Sequence, residues 1–415
     1  MDLKLIKNTL SLIGIQGANF VIPLITLPYL VRVLEPIGYG NLGLALAIVQ
    51  YFSIITDYGF NLSITQKIAI ARNDITRISE IYWAVFYCKI ALFLMCGVIL
   101  LFIVLFFDRA SQIKWLLFSC FTLVMGTAIF PVWLFQGKES MVWIAISNIS
   151  AKLLAVPLIF LFVTAPSDAW IAGLITGITA ILAGVISLIY VYKKKWILFF
   201  IPSWLMIKNE FRDGWHIFIS TAAISLYTTS TTVILGIFAG PIAVGYYVAA
   251  DKIRQAVQGL ISPISQAFYP RINATMAKNK ISGFEMIRKL LFIMIGITFI
   301  SSAVLFFCAD FLIHLAYGDI YENSASVLKW LAWLPLIIAC SNVFGVQTLL
   351  VLGHKKLFSR VLIFSGLFNV AILSVFSYVY QQNGAAVSIF ITELLVTITM
   401  LVLIIKLKIP LFKRV

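Results

Sequence analysis

Twelve runs of mainly apolar residues fill most of this 415-residue chain, each about as long as the ~20 residues a helix needs to cross bilayer hydrocarbon. They lie near 10–31, 41–66, 81–107, 113–136, 141–163, 168–192, 213–238, 243–270, 290–316, 326–352, 357–380 and 384–406. Backbone polar groups inside a bilayer must find their partners within the protein, which leaves only helices and closed barrels as spanning structures. A barrel would show alternating segments of about ten residues. These runs are continuous, so they predict an all-α polytopic membrane protein with twelve transmembrane helices. At 62% hydrophobic and 11% charged residues, the chain is far from a soluble domain, where about a quarter of residues are charged.

The net charge of +15 points to orientation and not to nucleic acid. With twelve spans, Lys4, Lys7, Lys67, Arg72, Arg77, Lys138, Lys193 to Lys195, Arg271, Lys278, Lys355, Lys356 and Lys406 all fall on one side. The other side holds Arg32, Arg109, Lys114 and Lys329. Basic loops stay in the cytoplasm, so both termini are expected there. The basic, apolar N-terminus resembles a signal peptide, but its apolar run continues through Pro23 and Pro28 to Leu34 without a cleavage site, so it reads as a retained first helix bent at those prolines. The five cysteines sit in apolar segments without metal or redox spacing and read as packing residues.

Within this frame the chain repeats itself. Pro36-Ile37-Gly38-Tyr39-Gly40 returns 205 positions later as Pro241-Ile242-Ala243-Val244-Gly245, and the same offset lays Gln50 on Gln255 and Ser53 on Gln258. Two polar-striped helices therefore hold equivalent places in two halves, 1–205 and 206–415. On 46–66, Gln50, Ser53, Asp57, Asn61 and Thr65 lie on a stripe about 120° wide at 100° per residue. On 246–270, Asp251, Arg254, Gln255, Gln258, Ser262, Ser265, Gln266 and Tyr269 share a face, and Val257, Leu260, Ile264 and Phe268 lie opposite. The expectation is lipid against the apolar face and an aqueous cavity against the polar one. Six spans per half give both halves the same orientation, a parallel repeat whose substrate site belongs between two lobes near mid-depth. Gly173, Gly177, Ala180 and Gly184 set up close helix packing. The stretches 193–212 and 271–289 read as helices lying on the cytoplasmic leaflet.

Charges inside spans cost on the order of 2.5–3.5 kcal/mol on insertion scales and usually face protein or water. Lys152, Arg254 and Glu393 fall near the middle of their runs, whereas Lys89 and Asp310 fall near the ends, where snorkelling explains them. Lys252 projects about 100° away from the Asp251–Arg254 stripe. Cations at this depth suit an anionic headgroup, Arg by its bidentate fork and Lys as a point charge. Arg254 and Lys152 lead as phosphate ligands, followed by Lys252 and Lys89, with Gln16, Asn19, Gln50, Gln255 and Gln258 as amides for sugar hydroxyls. Asp57, Asp251 and Glu393 are carboxylates either for a coupling H+ or Na+ or for ion pairs with Arg254 and Lys152. No metal-ligand spacing, nucleotide loop or nucleophile elbow is present, and no loop is long enough for a soluble domain. The chain reads as a transporter without cofactor, not an enzyme.

Gln16-Gly17-Ala18-Asn19-Phe20, Pro28-Tyr29-Leu30-Val31-Arg32-Val33-Leu34, Asp57-Tyr58-Gly59-Phe60-Asn61, Trp133-Leu134-Phe135-Gln136-Gly137 and Ser220-Thr221-Ala222-Ala223 resemble the polysaccharide (O-antigen) flippases of enteric bacteria. The resemblance covers nearly the whole chain. It implies membership of the multidrug/oligosaccharidyl-lipid/polysaccharide exporter superfamily, with two six-helix lobes around a central cavity in the bacterial inner membrane. It also implies a substrate of undecaprenyl-pyrophosphate-linked oligosaccharide, carried from the cytoplasmic to the periplasmic leaflet. Membrane lipids, the polysaccharide polymerase and the chain-length machinery are the expected partners. An ion-coupled multidrug exporter and a peptidoglycan-precursor flippase would share this fold. A membrane-bound polymerase would need a long periplasmic loop that this chain lacks.

Overall fold

The computed structural model describes residues 3–412, apart from the side chains of residues 3–24 and of some positions between 216 and 270. Among the described residues every regular element is helical. Contacts divide the chain into two compact units, 1–225 and 226–415.

The first unit contains α1 (Leu3–Asp57), α2 (Phe60–Ile70), α3 (Ile75–Phe106), α4 (Asp108–Gln112), α5 (Lys114–Ile129), α6 (Val132–Gly137), α7 (Met141–Phe162), α8 (Ala169–Lys193) and most of α9 (Trp204–Thr228). The second contains α10 (Ser230–Lys278), α11 (Lys280–Phe307), α12 (Ala309–Tyr317), α13 (Asn323–Leu331), α14 (Leu334–Phe344) and α15 (Lys355–Lys406). Nine helices among the described residues are long and apolar enough to cross a membrane. Their outer faces carry large apolar side chains in the open, with Leu105, Phe307 and Tyr378 each at least 74% exposed. A water-soluble protein does not display such continuous apolar surface.

Three of the longest helices are interrupted. Non-helical backbone falls at Glu35 in α1, Gly240 in α10 and Gln381 in α15. Glu35 has φ 55° and ψ 173°, and Gly240 has φ 83° and ψ −179°. These two residues are 205 positions apart and each immediately precedes a copy of the Pro-Ile repeat, so the sequence repeat is also a repeat of backbone conformation. In α1 the residue with non-helical backbone is Glu35, which carries a Cβ where the second unit has glycine.

Each unit has its own core. In the first, Phe60, Ile64 and Ile68 of α2 meet Ile78, Tyr82 and Val85 of α3 and Trp133 and Phe135 of α6. In the second, Phe284, Ile287 and Met294 of α11 meet Val343 of α14 and Val396 and Met400 of α15. Val257, Ile264 and Phe268 of α10 pack on that second core. This corrects the expectation that their face meets lipid: the apolar side of this helix is held by neighbouring helices. The small-residue stripe of α8 sits against α5. An added Cβ at Gly173 would come within 2.6 Å of the Cys120 sulfur, and one at Gly126 within 2.6 Å of the Ala180 carbonyl carbon. Dispersion, not water release, drives packing within a bilayer, so backbone approach matters most at such contacts.

Neither expected surface helix forms as a separate element. Residues 196–203 have no regular structure, and Trp204 already begins α9. α10 runs through Lys278, and only Asn279 separates it from α11, its carboxamide accepting from the Ile281 and Ser282 amides. A side-chain cap this efficient lets one residue end one helix and start the next, so the amphipathic stretch 271–289 becomes the tips of two long helices.

Two stability outcomes follow from the backbone. Glu35→Gly should raise the thermal midpoint in detergent, since Glu35 is exposed and its left-handed conformation costs about 1–3 kcal/mol for a residue other than glycine. Gly126→Ala should destabilise by about 1–3 kcal/mol through overpacking, whereas Gly97→Ala, whose methyl meets only the Phe121 ring at 3.7 Å, should be neutral or stabilising. Thermal unfolding of the purified variants, followed side by side, checks all three.

Candidate functional site

The polar stripe of the first unit begins on α1 and crosses a break. The expected continuous helix over 46–66 instead ends at Asp57, because Tyr58 (φ 47°) and Gly59 (φ 74°) turn the chain before α2 starts. Glycine is needed at 59 twice over: for its dihedrals, and because a Cβ there would lie 2.6 Å from the Ile217 side chain. The Tyr58 ring stacks on Phe218 at 4.7 Å. The break brings Asn61 back onto Asp57, with the Asn61 Nδ2 donating to Asp57 Oδ2 at 2.9 Å.

Lys89 reaches the other carboxylate oxygen. Its Nζ donates to Asp57 Oδ1 at 3.1 Å and to the Thr127 carbonyl at 3.2 Å. The sequence expectation that Lys89 lies near a helix end is wrong. α3 runs from Ile75 to Phe106, beyond the apolar run at its N-terminal end, so Lys89 is in mid-helix and only 2% exposed. Gln50, Ser53, Asp57, Asn61, Lys89 and Thr127 line a recess of about 250 Å³. Thr65, at the foot of the stripe, is turned into the unit and donates to Gln136 Oε1 at 3.0 Å and to the Asn61 carbonyl at 2.6 Å.

In the second unit Arg254 is enclosed by its own helix. Its Nε donates to Asp251 Oδ1 at 2.6 Å, its Nη1 donates to Gln258 Oε1, and Gln255 Nε2 donates to Asp251 Oδ2 at 2.6 Å. The spacing of three and four residues places all four side chains on one face of α10. The Arg254 and Asp251 side chains are 13% and 14% exposed. Glu393 on α15 is near enough to act electrostatically on Arg254. Lys252 is exposed and stands apart from this group. Lys152 is half-buried on α7 and does not line the Asp57–Lys89 recess. The side chains of Gln16 and Asn19 lie outside the described residues. Asp310 pairs with Lys329 at 2.7 Å on exposed surface.

Below Gln258 the stripe is absorbed by the fold. Ser265 donates to Asn342 Oδ1 at 2.5 Å, and Gln347 Nε2 donates to the Ser265 hydroxyl and carbonyl, both at 2.9 Å. Gln258, Ser265, Gln266, Thr298 and Asn342 line a second recess of about 120 Å³. Asn342 and Gln347 were not anticipated, although two amides inside the apolar run 326–352 were a visible signal. Thr127 serves Lys89 with a backbone carbonyl, which no residue identity advertises. A charged cluster also joins the start of α9 to α2: Lys67 bonds Glu210 at 2.6 Å and Asp213 at 2.9 Å beside a recess of about 500 Å³. Its cations Lys67, Arg77 and Arg212 are matched by Glu80, Glu210 and Asp213.

Each unit thus offers a cation held by a carboxylate, with amides alongside, in the middle of apolar helices. Such a group can receive a phosphate through its cation and hydroxyls through its amides. Among the described residues no cluster of three or more His, Cys, Asp or Glu suits a metal ion.

Comparison with known proteins gives the fold and the family. Two solved structures share the fold: an inward-facing multidrug resistance MATE family transporter of the MOP superfamily, and the lipid II flippase MurJ in an inward closed conformation. The first has a TM-score of 0.72 at 14% identity, covering 95% of this chain and 99% of that one. The second has a TM-score of 0.74 at 13% identity, covering 97% and 87%. Two curated relatives carry the name "Putative O-antigen transporter". One, from Escherichia coli (strain K12), is 39% identical over 96% of both chains. The other, from Shigella dysenteriae, is 32% identical over 95% of this chain and 98% of its own. The family model described as polysaccharide biosynthesis protein matches residues 5–276. The chain is a multi-pass membrane protein that belongs to this polysaccharide biosynthesis family.

Proposed function

We propose that the protein translocates undecaprenyl-pyrophosphate-linked oligosaccharide, an O-antigen repeat unit, from the cytoplasmic to the periplasmic leaflet of the bacterial inner membrane by alternating access. The observation that carries this reading is the 39% identity to an O-antigen transporter relative across 96% of both chains. The chemistry of the two units supports it. Lys89 and Arg254 are cations at mid-helix suited to a diphosphate, and Gln50, Gln255 and Gln258 stand beside them for sugar hydroxyls. Lys152, Lys252, Gln16 and Asn19 complete the proposed substrate-binding set. A multidrug exporter, which handles cations, would favour acidic over basic groups at these positions.

The architecture we propose is twelve spans in two six-helix lobes, divided near residue 205, with both termini cytoplasmic. Among the described residues nine helices are long and apolar enough to cross, and in this proposal the interruptions at Glu35, Gly240 and Gln381 each end one span and begin another. The segment before Gly240 completes the span that α9 begins. The crowding of Lys and Arg on one side supports the orientation. Asp57, Asp251 and Glu393 are the carboxylates proposed to take up a coupling H+ or Na+. The polymerase and chain-length machinery are proposed partners, and the protein needs no cofactor and performs no catalysis in this reading.

Cells lacking the gene should accumulate lipid-linked oligosaccharide on the cytoplasmic leaflet and lose surface polymer. Normal translocation of that lipid in cells without any flippase of this class would remove the assignment. At the level of one residue, Arg254→Gln should reduce transport at least about tenfold, the loss expected for a charge-assisted contact to substrate, while Arg254→Lys retains part of it. Abundance is measured in the same cells. If Arg254 serves only to neutralise Asp251, protein level falls together with transport, because a carboxylate is left with no counter-charge.

A further inference from the structure

We propose that Asp57 is an internal stand-in for a substrate phosphate: it holds Lys89 in the empty site, and a diphosphate displaces it when substrate arrives. This deepens the flippase reading and rests on it. Lys89 is 2% exposed and Asp57 is its anion, at 3.1 Å. The Thr127 carbonyl at 3.2 Å fixes a second ammonium proton, so two of the three donors have partners among the described residues. The two halves of the pair differ in access. The Lys89 side chain is 3% exposed and that of Asp57 is 28% exposed. An incoming anion therefore meets Lys89 from the Asp57 side, across the recess of about 250 Å³ that both residues line.

The carboxylate is placed to yield. Asp57 is the last residue of α1, followed by the Tyr58–Gly59 turn, so its side chain sits at a helix end and not within a packed interior. Its second oxygen already accepts from Asn61, which can retain it after Lys89 is lost. Asn61 Oδ1 is buried without a hydrogen-bond partner, leaving an acceptor for a hydroxyl of the incoming headgroup. The other polar groups lining the recess, Gln50, Ser53, Asn61, Thr127 and Thr221, are neutral, so Asp57 is the sole anion competing there among the described residues. Arg254 and Asp251 repeat the scheme in the second unit. A cation that always has an anion avoids the penalty of standing alone in an apolar surrounding, and substrate affinity is set by the difference between two anions.

Purified full-length protein is titrated with inorganic pyrophosphate while binding and thermal midpoint are followed; all variants share Arg254, so differences report the first unit. Asp57→Asn should lower the midpoint without anion, recover it with pyrophosphate, and bind pyrophosphate about tenfold more tightly, the ratio expected when one charge-assisted hydrogen bond no longer competes. Lys89→Met should lose the first-unit response, and the double variant K89M/D57N should regain the midpoint of the unsubstituted protein while keeping only the pyrophosphate response that Lys89→Met retains through Arg254. The proposal is overturned if D57N binds pyrophosphate no better than the unsubstituted protein, or if K89M/D57N responds as D57N does. If D57N fails to accumulate, an unchanged response in Lys89→Met alone overturns it. Failure of the flippase reading looks different: the pyrophosphate pattern persists, but lipid-linked oligosaccharide is not moved.

Discussion

A charge withdrawn from water must find its opposite within the protein, and this constraint orders the interior of both units. Lys89 is carried into mid-helix by α3 and would be untenable there unless α1 ended where it does, presenting Asp57. Arg254 solves the same problem locally, one turn from Asp251 on its own helix. The two solutions differ in what they demand of the fold. An intrahelical pair forms as soon as the helix forms, whereas Asp57 meets Lys89 only after α1, α2 and α3 have packed, so the first unit's pair depends on the Tyr58–Gly59 turn and the Phe60 core beneath it.

The repeat shows how backbone conformation outlasts residue identity. Glu35 and Gly240 adopt nearly the same dihedrals although one has a side chain and the other has none. The Pro-Ile step that follows supplies a fixed φ and an apolar restart of the helix in both places. A long apolar helix has no reason to stop at one residue unless the chain is made to stop, and here the left-handed conformation does so in each half.

Much of this was legible in the sequence. Apolar runs and their length specify helices that cross a bilayer, and the spacing of Gln50, Ser53 and Asp57 put three side chains around one recess, which Asn61 joins only through the Tyr58–Gly59 turn. The same arithmetic put Arg254 beside Asp251, Gln255 and Gln258. What failed were inferences about what lies across from a face. Periodicity tells which residues share a side, but Val257 and Phe268 meet protein where lipid was expected, because nothing in a single helix states whether its neighbour is a chain or a lipid. The depth of Lys89 was misjudged for a related reason: α3 extends beyond its apolar run, and the polar turns at its start shift the middle of the helix. The Thr127 carbonyl and the Ser265–Asn342–Gln347 network depend on tertiary packing alone.

The start of α9 has a consequence for how the two halves came to be joined. By sequence it opens the second copy of the repeat, yet its first turns are bonded to the first unit through Lys67–Glu210 and the Tyr58–Phe218 stack. The halves are consequently not interchangeable cassettes. A chimaera cut in the irregular stretch 196–203 would bring in a foreign α9 and pair it with Lys67 and Tyr58, which evolved against a different partner. Recombination between relatives should therefore have been tolerated most readily where the crossing point keeps residues 204–225 with the first half, and the record of exchange among such proteins should carry that imprint.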